Sequence, residues 1–331
     1  MNAQSTKLRS ALSAGVAAAA VVLGGLSGNA VAVDSRPVAE VSYLDLSPEI
    51  RVRRMVVHNP VPKETKSAKG PKRTVLFLHG FPETMLAWKE VARTLGQDYE
   101  VHAFDWPGYG DSSRPTPDVF AYAPRDYANV LTQYIDKAGI DRRNLVIYAT
   151  DIGALPALLA ALDQPDLART LIVGDFAPFN RPEYMQGRLQ ALKEPKSAEM
   201  VRQAFNATRD EILRNAFTRG LPDASGYSLH SDFQADMARG WGNGALTSGD
   251  AFYHYYTHFT RDQDAFESGL QRLKTPVKVV WGEQDIYINK EMGVEFARRT
   301  NAPLRVLPGT GHYPHLQHPE QTIDEVRAAF R

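Results

Sequence analysis

Three side chains in this sequence have the types and settings needed for hydrolysis through a covalent ester. Asp151 stands at the centre of Tyr148-Ala149-Thr150-Asp151-Ile152-Gly153-Ala154, where an apolar run turns directly into a small-residue helix. So sharp a turn tolerates only small flanking residues, and Ala149 and Gly153 supply them. An Asp at a strand end, taken alone, is more often a helix N-cap. The residues downstream argue for chemistry instead. A carboxyl with a pKa of about 4 is ionised at neutral pH and needs no base to attack an electrophilic sp³ carbon. The product is an ester on Asp151, whose hydrolysis requires water activated by a histidine. His312, in Pro308-Gly309-Thr310-Gly311-His312-Tyr313-Pro314, follows the last strand on a glycine-rich loop that can carry an imidazole back to the sheet edge. Asp285 ends Trp281-Gly282-Glu283-Gln284-Asp285, where it can orient the imidazole and stabilise its charged form. Glu283 is the alternative acid. His315 and His318 sit where a surface loop meets the final helix and are read as structural.

Ester hydrolysis also needs an oxyanion hole. His79-Gly80-Phe81-Pro82 follows a strong strand and should turn the Phe81 backbone N–H toward Asp151, with the Ile152 N–H as second donor. Pro82 is a candidate for a cis peptide. His79 is read as holding loops by hydrogen bonds.

These residues must be positioned by the elements around them. Short β-branched runs alternate with helix-like segments, which predicts an α/β chain with a mainly parallel sheet and helices on both faces. Strands are expected at Thr74 to Leu78, Tyr99 to Phe104, Asn144 to Ala149, Leu171 to Val173, Val277 to Trp281 and Leu304 to Leu307. Helices are expected at Thr84 to Gln97, Arg125 to Gly139, Gly153 to Asp163, Lys290 to Arg299 and Glu320 to Arg331. Residues 33–177 and 274–331 then form the two parts of one core, and residues 178–273, helical and rich in aromatic and charged side chains, form an inserted cap.

Composition narrows the function classes. The chain has 331 residues and no cysteine, so disulfides and thiolate metal sites play no part. Lys plus Arg and Asp plus Glu number 38 each, so no net field draws it to nucleic acid or to an anionic membrane. A neutral, apolar small-molecule substrate is the default, and the chemistry calls for no cofactor and no metal. The basic run from Lys63 to Arg73 contains Pro, Gly and Ser and reads as a solvated hairpin loop. Residues 1–32 carry Lys7 and Arg9, an uncharged Ala/Val/Leu/Gly run and Ala30-Val31-Ala32. That order reads as a signal peptide with cleavage after Ala32, so the protein is expected in the periplasm or outside the cell, with no stable membrane anchor.

HGFPETMLAW (79 to 88), DWPGYGDSSRP (105 to 115), ATDIGA (149 to 154), WGEQD (281 to 285) and GTGHYPHLQHPE (309 to 320) occur in this order, and with them the chain resembles the epoxide hydrolase branch of the α/β-hydrolases. The resemblance covers nearly the whole chain after residue 32 and thins in the cap. It implies the α/β-hydrolase fold, alkylation of Asp151, water activation by His312 paired with Asp285, and an oxyanion hole at Phe81 and Ile152. Members with epoxide activity usually carry two cap tyrosines, or a His and a Tyr, that hydrogen-bond the ring oxygen. Phe252-Tyr253-His254-Tyr255-Tyr256 looks like the later of these motifs, with Tyr256 as the donor; aromatic packing of a cap helix is the competing reading. The segment RLQALKEP (188 to 195) looks like the earlier one but holds no Tyr or His, and Tyr184 is the substitute. Trp88 and Tyr255 are read, with Tyr184, as substrate contacts. Dehalogenation is the alternative reaction, with Trp241 as a halide donor, although Ile152 stands where those enzymes usually place Trp or Arg. A ligand-binding protein on a hydrolase scaffold is the third reading.

Overall fold

A computed structural model describes residues 37–58, 71–222 and 226–331. The expected signal peptide (1–32) and residues 63–70 of the basic loop lie outside the described residues. Among the described residues no helix is long and apolar enough to cross a membrane.

Eight strands form one sheet: β1 (Val38–Asp45), β2 (Arg51–His58), β3 (Thr74–Leu78), β4 (Glu100–Phe104), β5 (Leu145–Thr150), β6 (Thr170–Gly174), β7 (Val277–Gly282) and β8 (Leu304–Leu307). Their spatial order is β1-β2-β4-β3-β5-β6-β7-β8. From β4 to β8 every neighbouring pair is parallel. The β1–β2 hairpin joins the other side of β4 antiparallel. β3, β5 and β6 are buried at every position, as strands covered on both faces must be. The helix Pro124–Lys137 packs on Ala154–Asp163, and Lys89–Leu95 on Pro319–Ala329.

Two local features differ from the sequence reading. The β1–β2 hairpin was not foreseen. β1 has no buried residue, and β2 intersperses Arg51, Arg53 and Arg54 among its apolar residues, which blurs the strand signal. The helix expected at Thr84 to Gln97 begins instead as a 3₁₀ turn, Met85–Trp88, before the α-helix Lys89–Leu95.

Between β6 and β7 the chain builds the helices Gly187–Ala191, Pro195–Ala207, Arg209–Asn215, Ser231–Gly240, Ser248–Thr257 and Phe259–Gly269. Ser248–Thr257, which carries Tyr255 and Tyr256, starts with a capping box. Thr247 Oγ1 accepts from the Asp250 N–H at 3.0 Å, and Asp250 Oδ2 accepts from the Thr247 N–H at 2.9 Å, so two otherwise orphaned donors are satisfied. A buried ion network ties these helices to the sheet. Arg53 of β2 donates to Asp105 at 2.5 Å, to Asp111 at 3.1 Å and to Asp236 of Ser231–Gly240 at 2.6 Å. Thr84 Oγ1 donates to Asp236 as well, at 2.7 Å. With its acceptors filled on both sides, Asp236 stays ionised despite burial, and Arg53 has no unmet charge.

Candidate active site

Parallel strands all end on the same side of the sheet, and ligands bind beyond those carboxyl ends. Five neighbouring strands each deliver one group there: Phe81 follows β3, Asp151 follows β5, Asp175 follows β6, Asp285 follows β7 and His312 follows β8. Register sets the first pair, since Leu78 of β3 lies opposite Ala149 of β5. The chain can therefore turn Phe81 and Asp151 toward one point.

Asp151 adopts φ +48°, a left-handed backbone that costs a non-glycine residue energy and persists only where its surroundings impose it. Its Oδ2 accepts the Phe81 N–H at 2.7 Å, and the Ile152 N–H also points at the carboxylate. Oδ1 faces His312 Nε2 at 4.0 Å. On its far side, His312 Nδ1 donates to Asp285 Oδ2 at 2.8 Å. Asp285 Oδ1 accepts from the N–H groups of Tyr287 and Ile288 at 2.8 and 3.1 Å, which fixes the carboxylate plane. Asp151, Asp285 and His312 are thus brought together with Phe81 and Ile152, and Glu283 is not part of the set. The Phe81–Pro82 peptide is cis.

The electrostatics differ from those of free side chains. Burial pushes the Asp151 carboxyl up to about 6, against the opposing pull of His312 and the Phe81 and Ile152 N–H groups. Burial also opposes charging of His312, but Asp285, Asp151 and Asp175 outweigh it and hold the imidazole at about 10. Near neutral pH the resting site is therefore a carboxylate beside an imidazolium.

Asp175 was not foreseen. It adopts φ +51°, accepts the Gly282 N–H through Oδ1 at 2.9 Å, and is fully buried. One oxygen each of Asp175 and Asp285 and one ring nitrogen of His312 lie within 4.8 Å of one another. Burial and the neighbouring Asp285 push the Asp175 carboxyl well above the carboxylate range. Its neutral form is favoured, the direction expected when two buried carboxyls share a site.

The loop after β3 is held from below. Gly80 N–H donates to Glu83 Oε2 at 2.7 Å, and Glu83 Oε1 pairs with His315 Nε2 at 2.7 Å. His315 thus has the structural place expected of it. His79, fully buried, accepts the Trp106 N–H through Nε2 at 3.2 Å and donates from Nδ1 to the Gly80 carbonyl at 2.8 Å, and burial keeps it neutral. Tyr313 O–H donates to the Phe81 carbonyl at 2.9 Å. Gly80 leaves no space for a side chain: a Cβ would lie 2.7 Å from Asp151 Cβ and 2.8 Å from its Oδ2. Gly80→Ala must displace the nucleophile, and a displacement on the order of 1 Å costs about 10²-fold in rate. Quantifying Asp151 ester formation by rapid-quench mass spectrometry checks this, and an unchanged rate would refute it.

A cavity opens over Asp151 and His312. Its wall is mostly apolar, with Phe81, Leu189, Phe205, Ile212, Ala216 and Phe252, joined by Tyr287 and Tyr313, and its polar members include Gln186, Arg188 and Arg219. Three residues read from sequence as substrate contacts are not on this wall. Trp88 is fully buried in the core, stacked on Phe77 at 4.6 Å and on His315 at 4.2 Å. Tyr184 closes the 3₁₀ turn Pro182–Tyr184, and its carbonyl accepts the Asn289 N–H at 2.7 Å. Tyr255 instead supports the nucleophile turn, its O–H donating to the Ile152 carbonyl at 3.2 Å. Tyr256 is buried beside the wall residue Phe252, with ring centroids 4.7 Å apart, and no hydrogen bond of its hydroxyl is found among the described residues. Burial first, and then the charge of Asp151, push its phenol well above the usual range. Trp241 turns its indole N–H to Asn206 Oδ1 at 3.4 Å.

The chain is 25% identical over 261 residues to Epoxide hydrolase 3 of Mus musculus, a match spanning 75% of this chain and 67% of the mouse protein. It is 36% identical over 111 residues to a Fluoroacetate dehalogenase of Burkholderia sp, which covers 33% of this chain and 36% of the dehalogenase. Among solved structures, Epoxide Hydrolase A from Mycobacterium thermoresistibile superposes with a TM-score of 0.67 at 19% identity, over 89% of this chain and 98% of the other, a likeness of fold. The family described as "Alpha/beta hydrolase family" matches residues 75–325, and with the sheet order and strand-end residues above, the chain belongs to the alpha/beta hydrolase family.

Proposed function

We propose that the protein hydrolyses epoxides to vicinal diols through an alkyl-enzyme ester on Asp151. The observation that carries this reading is the division of labour between the two oxygens of Asp151. Oδ2 is held by the Phe81 N–H, while Oδ1 faces His312 and Asp151 lines the cavity. Oδ1 attacks a ring carbon, the carbon–oxygen bond of the ring breaks, and the alkoxide takes a proton from the Tyr256 phenol. As the Asp151 charge is consumed, one cause of that phenol's raised pKa is removed, so proton donation becomes easier as the ring opens. Oδ2 is now a carbonyl oxygen already in an oxyanion hole. Neutral His312 takes a proton from water, the resulting hydroxide adds to Asp151 Cγ, and collapse of the tetrahedral intermediate returns the carboxylate and releases the diol. The imidazolium gives its proton to the departing oxygen, and the phenol is restored from solvent.

Other reactions fit less well. A serine-type esterase would need a hydroxyl at the turn, and Thr150 Oγ1 is buried without a partner. For a halide leaving group, Ile152 offers no side-chain donor and the Trp241 indole is engaged by Asn206. The test is a single turnover with styrene oxide in ¹⁸O-water, with 1-bromobutane in parallel. Label in the Asp151 carboxylate, and an unlabelled first equivalent of diol, is the expected result. Label appearing first in the diol, or turnover of the bromide alone, overturns the reading.

A further inference from the structure

The cavity carries a charge that the chemistry above does not use. Asp151 and His312 offset each other across 4.0 Å. Arg219 donates to Glu211 at 2.7 Å. Arg188, on the helix Gly187–Ala191, has no ion pair and no hydrogen bond among the described residues, although its side chain lines the cavity with Asp151. Its guanidinium carbon lies 4.6 Å over the Phe205 ring, and Phe205 in turn stacks on Phe81 at 5.9 Å. An aromatic ring occupies one face of a guanidinium but leaves the N–H groups at its edge unsatisfied. A planar fork with a fixed orientation and open donors is suited to a carboxylate, which it binds through two parallel hydrogen bonds.

We propose that the substrate is an anionic epoxide, a small molecule that carries a carboxylate and is held through Arg188 while its ring lies against Asp151. This departs from the neutral, apolar substrate that the zero net charge suggests, because a whole-chain charge says nothing about one cavity. It rests on the alkylation of Asp151 for its chemistry but not for its recognition step. Phe205, stacked on Phe81, holds the guanidinium on the cavity that Asp151 also lines without pairing it, so a carboxylate gains a cation without displacing one of the protein's own acids. The walls of Leu189, Ile212 and Phe252 accept the carbon skeleton between the two ends.

Recognition and chemistry can be tested separately. Calorimetric titration of the intact protein with unreactive 3-phenylpropanoate and with 3-phenylpropanamide measures the preference for the charge. The carboxylate is expected to bind about ten- to a hundred-fold tighter, the range of a charge-assisted pair. Added salt and Arg188→Gln should erase that preference, and Arg188→Lys should restore part of it. Equal binding of acid and amide, or a preference that survives Arg188→Gln, overturns the proposal. Turnover of 3-phenylglycidate against its amide adds the second readout. The ratio of their kcat/KM values should collapse in Arg188→Gln through KM; an equal fall in kcat for both would place Arg188 on the opening ring oxygen instead and overturn it. Selective carboxylate binding without an Asp151 ester would sink the epoxide reading and leave anion recognition standing. An ester formed equally from acid and amide would do the reverse.

Discussion

Replacing His312 by glutamine is expected to stop the protein after one turnover, with Asp151 trapped as its ester and steady-state diol formation lowered by about 10²–10⁴-fold. The first half-reaction survives because the Asp151 carboxylate attacks carbon directly and needs no base to take a proton from it. The second fails because glutamine cannot take a proton from water. The pH dependence adds a signed test. Ester formation follows the ionised fraction of Asp151, so it should be half-maximal near pH 6 and fall about ten-fold per unit below that. The His312 charge is one of the causes holding that carboxyl down. Glutamine removes it, so in the variant this acidic limb moves to higher pH. Ester hydrolysis behaves differently. It needs neutral His312, which the resting site holds charged up to about pH 10, partly through Asp151. Esterification removes that negative charge, so the imidazole in the intermediate loses its proton more easily than in the resting protein. Alkylation thereby prepares the base for the next step. Rapid-quench mass spectrometry across pH measures both limbs; continued multiple turnover by His312→Gln, or a limb that moves to lower pH, would refute the assignment.

Residues that end a strand inside a local signature were legible in the sequence. Asp151 lies between small residues, His312 follows two glycines, and Asp285 stands just beyond a strand, so each can be chosen without knowing its neighbours. Groups whose role depends on tertiary adjacency were not. Asp175 stands in Gly174-Asp175-Phe176, an unremarkable strand end, and matters only because β6 lies beside β7 and brings it to Asp285. Arg188 was in view, at the head of the segment that lacked a Tyr or His, but whether a surface-rich helix turns a cation inward is decided by packing against Phe205. Trp88 failed in the opposite direction. An aromatic residue near a site motif looks like a substrate contact, yet a large apolar ring on a core-facing turn gains more from burial against Phe77. The sheet was legible from β3 onward because β3, β5 and β6 are nearly continuous apolar runs and β4, β7 and β8 are rich in β-branched or aromatic residues, whereas the β1–β2 hairpin is a half-exposed edge.

The two acids behind His312 should act as one unit, which gives the second large effect. Asp285→Asn removes the acceptor of the His312 Nδ1–H, and in isolation such a loss costs about 10⁴-fold. Here it also removes a charge that keeps Asp175 protonated. Burial, the larger cause of the raised Asp175 pKa, remains, but the His312 imidazolium within the same 4.8 Å cluster then opposes it without competition from Asp285, so Asp175 is expected to ionise more readily and to supply part of the lost negative charge. Asp285→Asn alone is therefore expected to fall about a hundred-fold short of the loss in Asp175→Asn/Asp285→Asn, which should reach about 10⁴-fold. Asp175→Asn alone replaces a neutral acid by a neutral amide of the same shape and should leave ester hydrolysis nearly unchanged. Single-turnover decay of the Asp151 ester in the three variants measures this directly, since neither acid takes part in ester formation. Multiplicative effects of the two substitutions would show that Asp175 carries no charge even when Asp285 is gone. A loss in the double variant that exceeds the product of the two single losses means that either acid can stabilise the charged histidine. The loss of Asp285 is then softened, not abolished, because the adjacent strand holds a second acid in reserve.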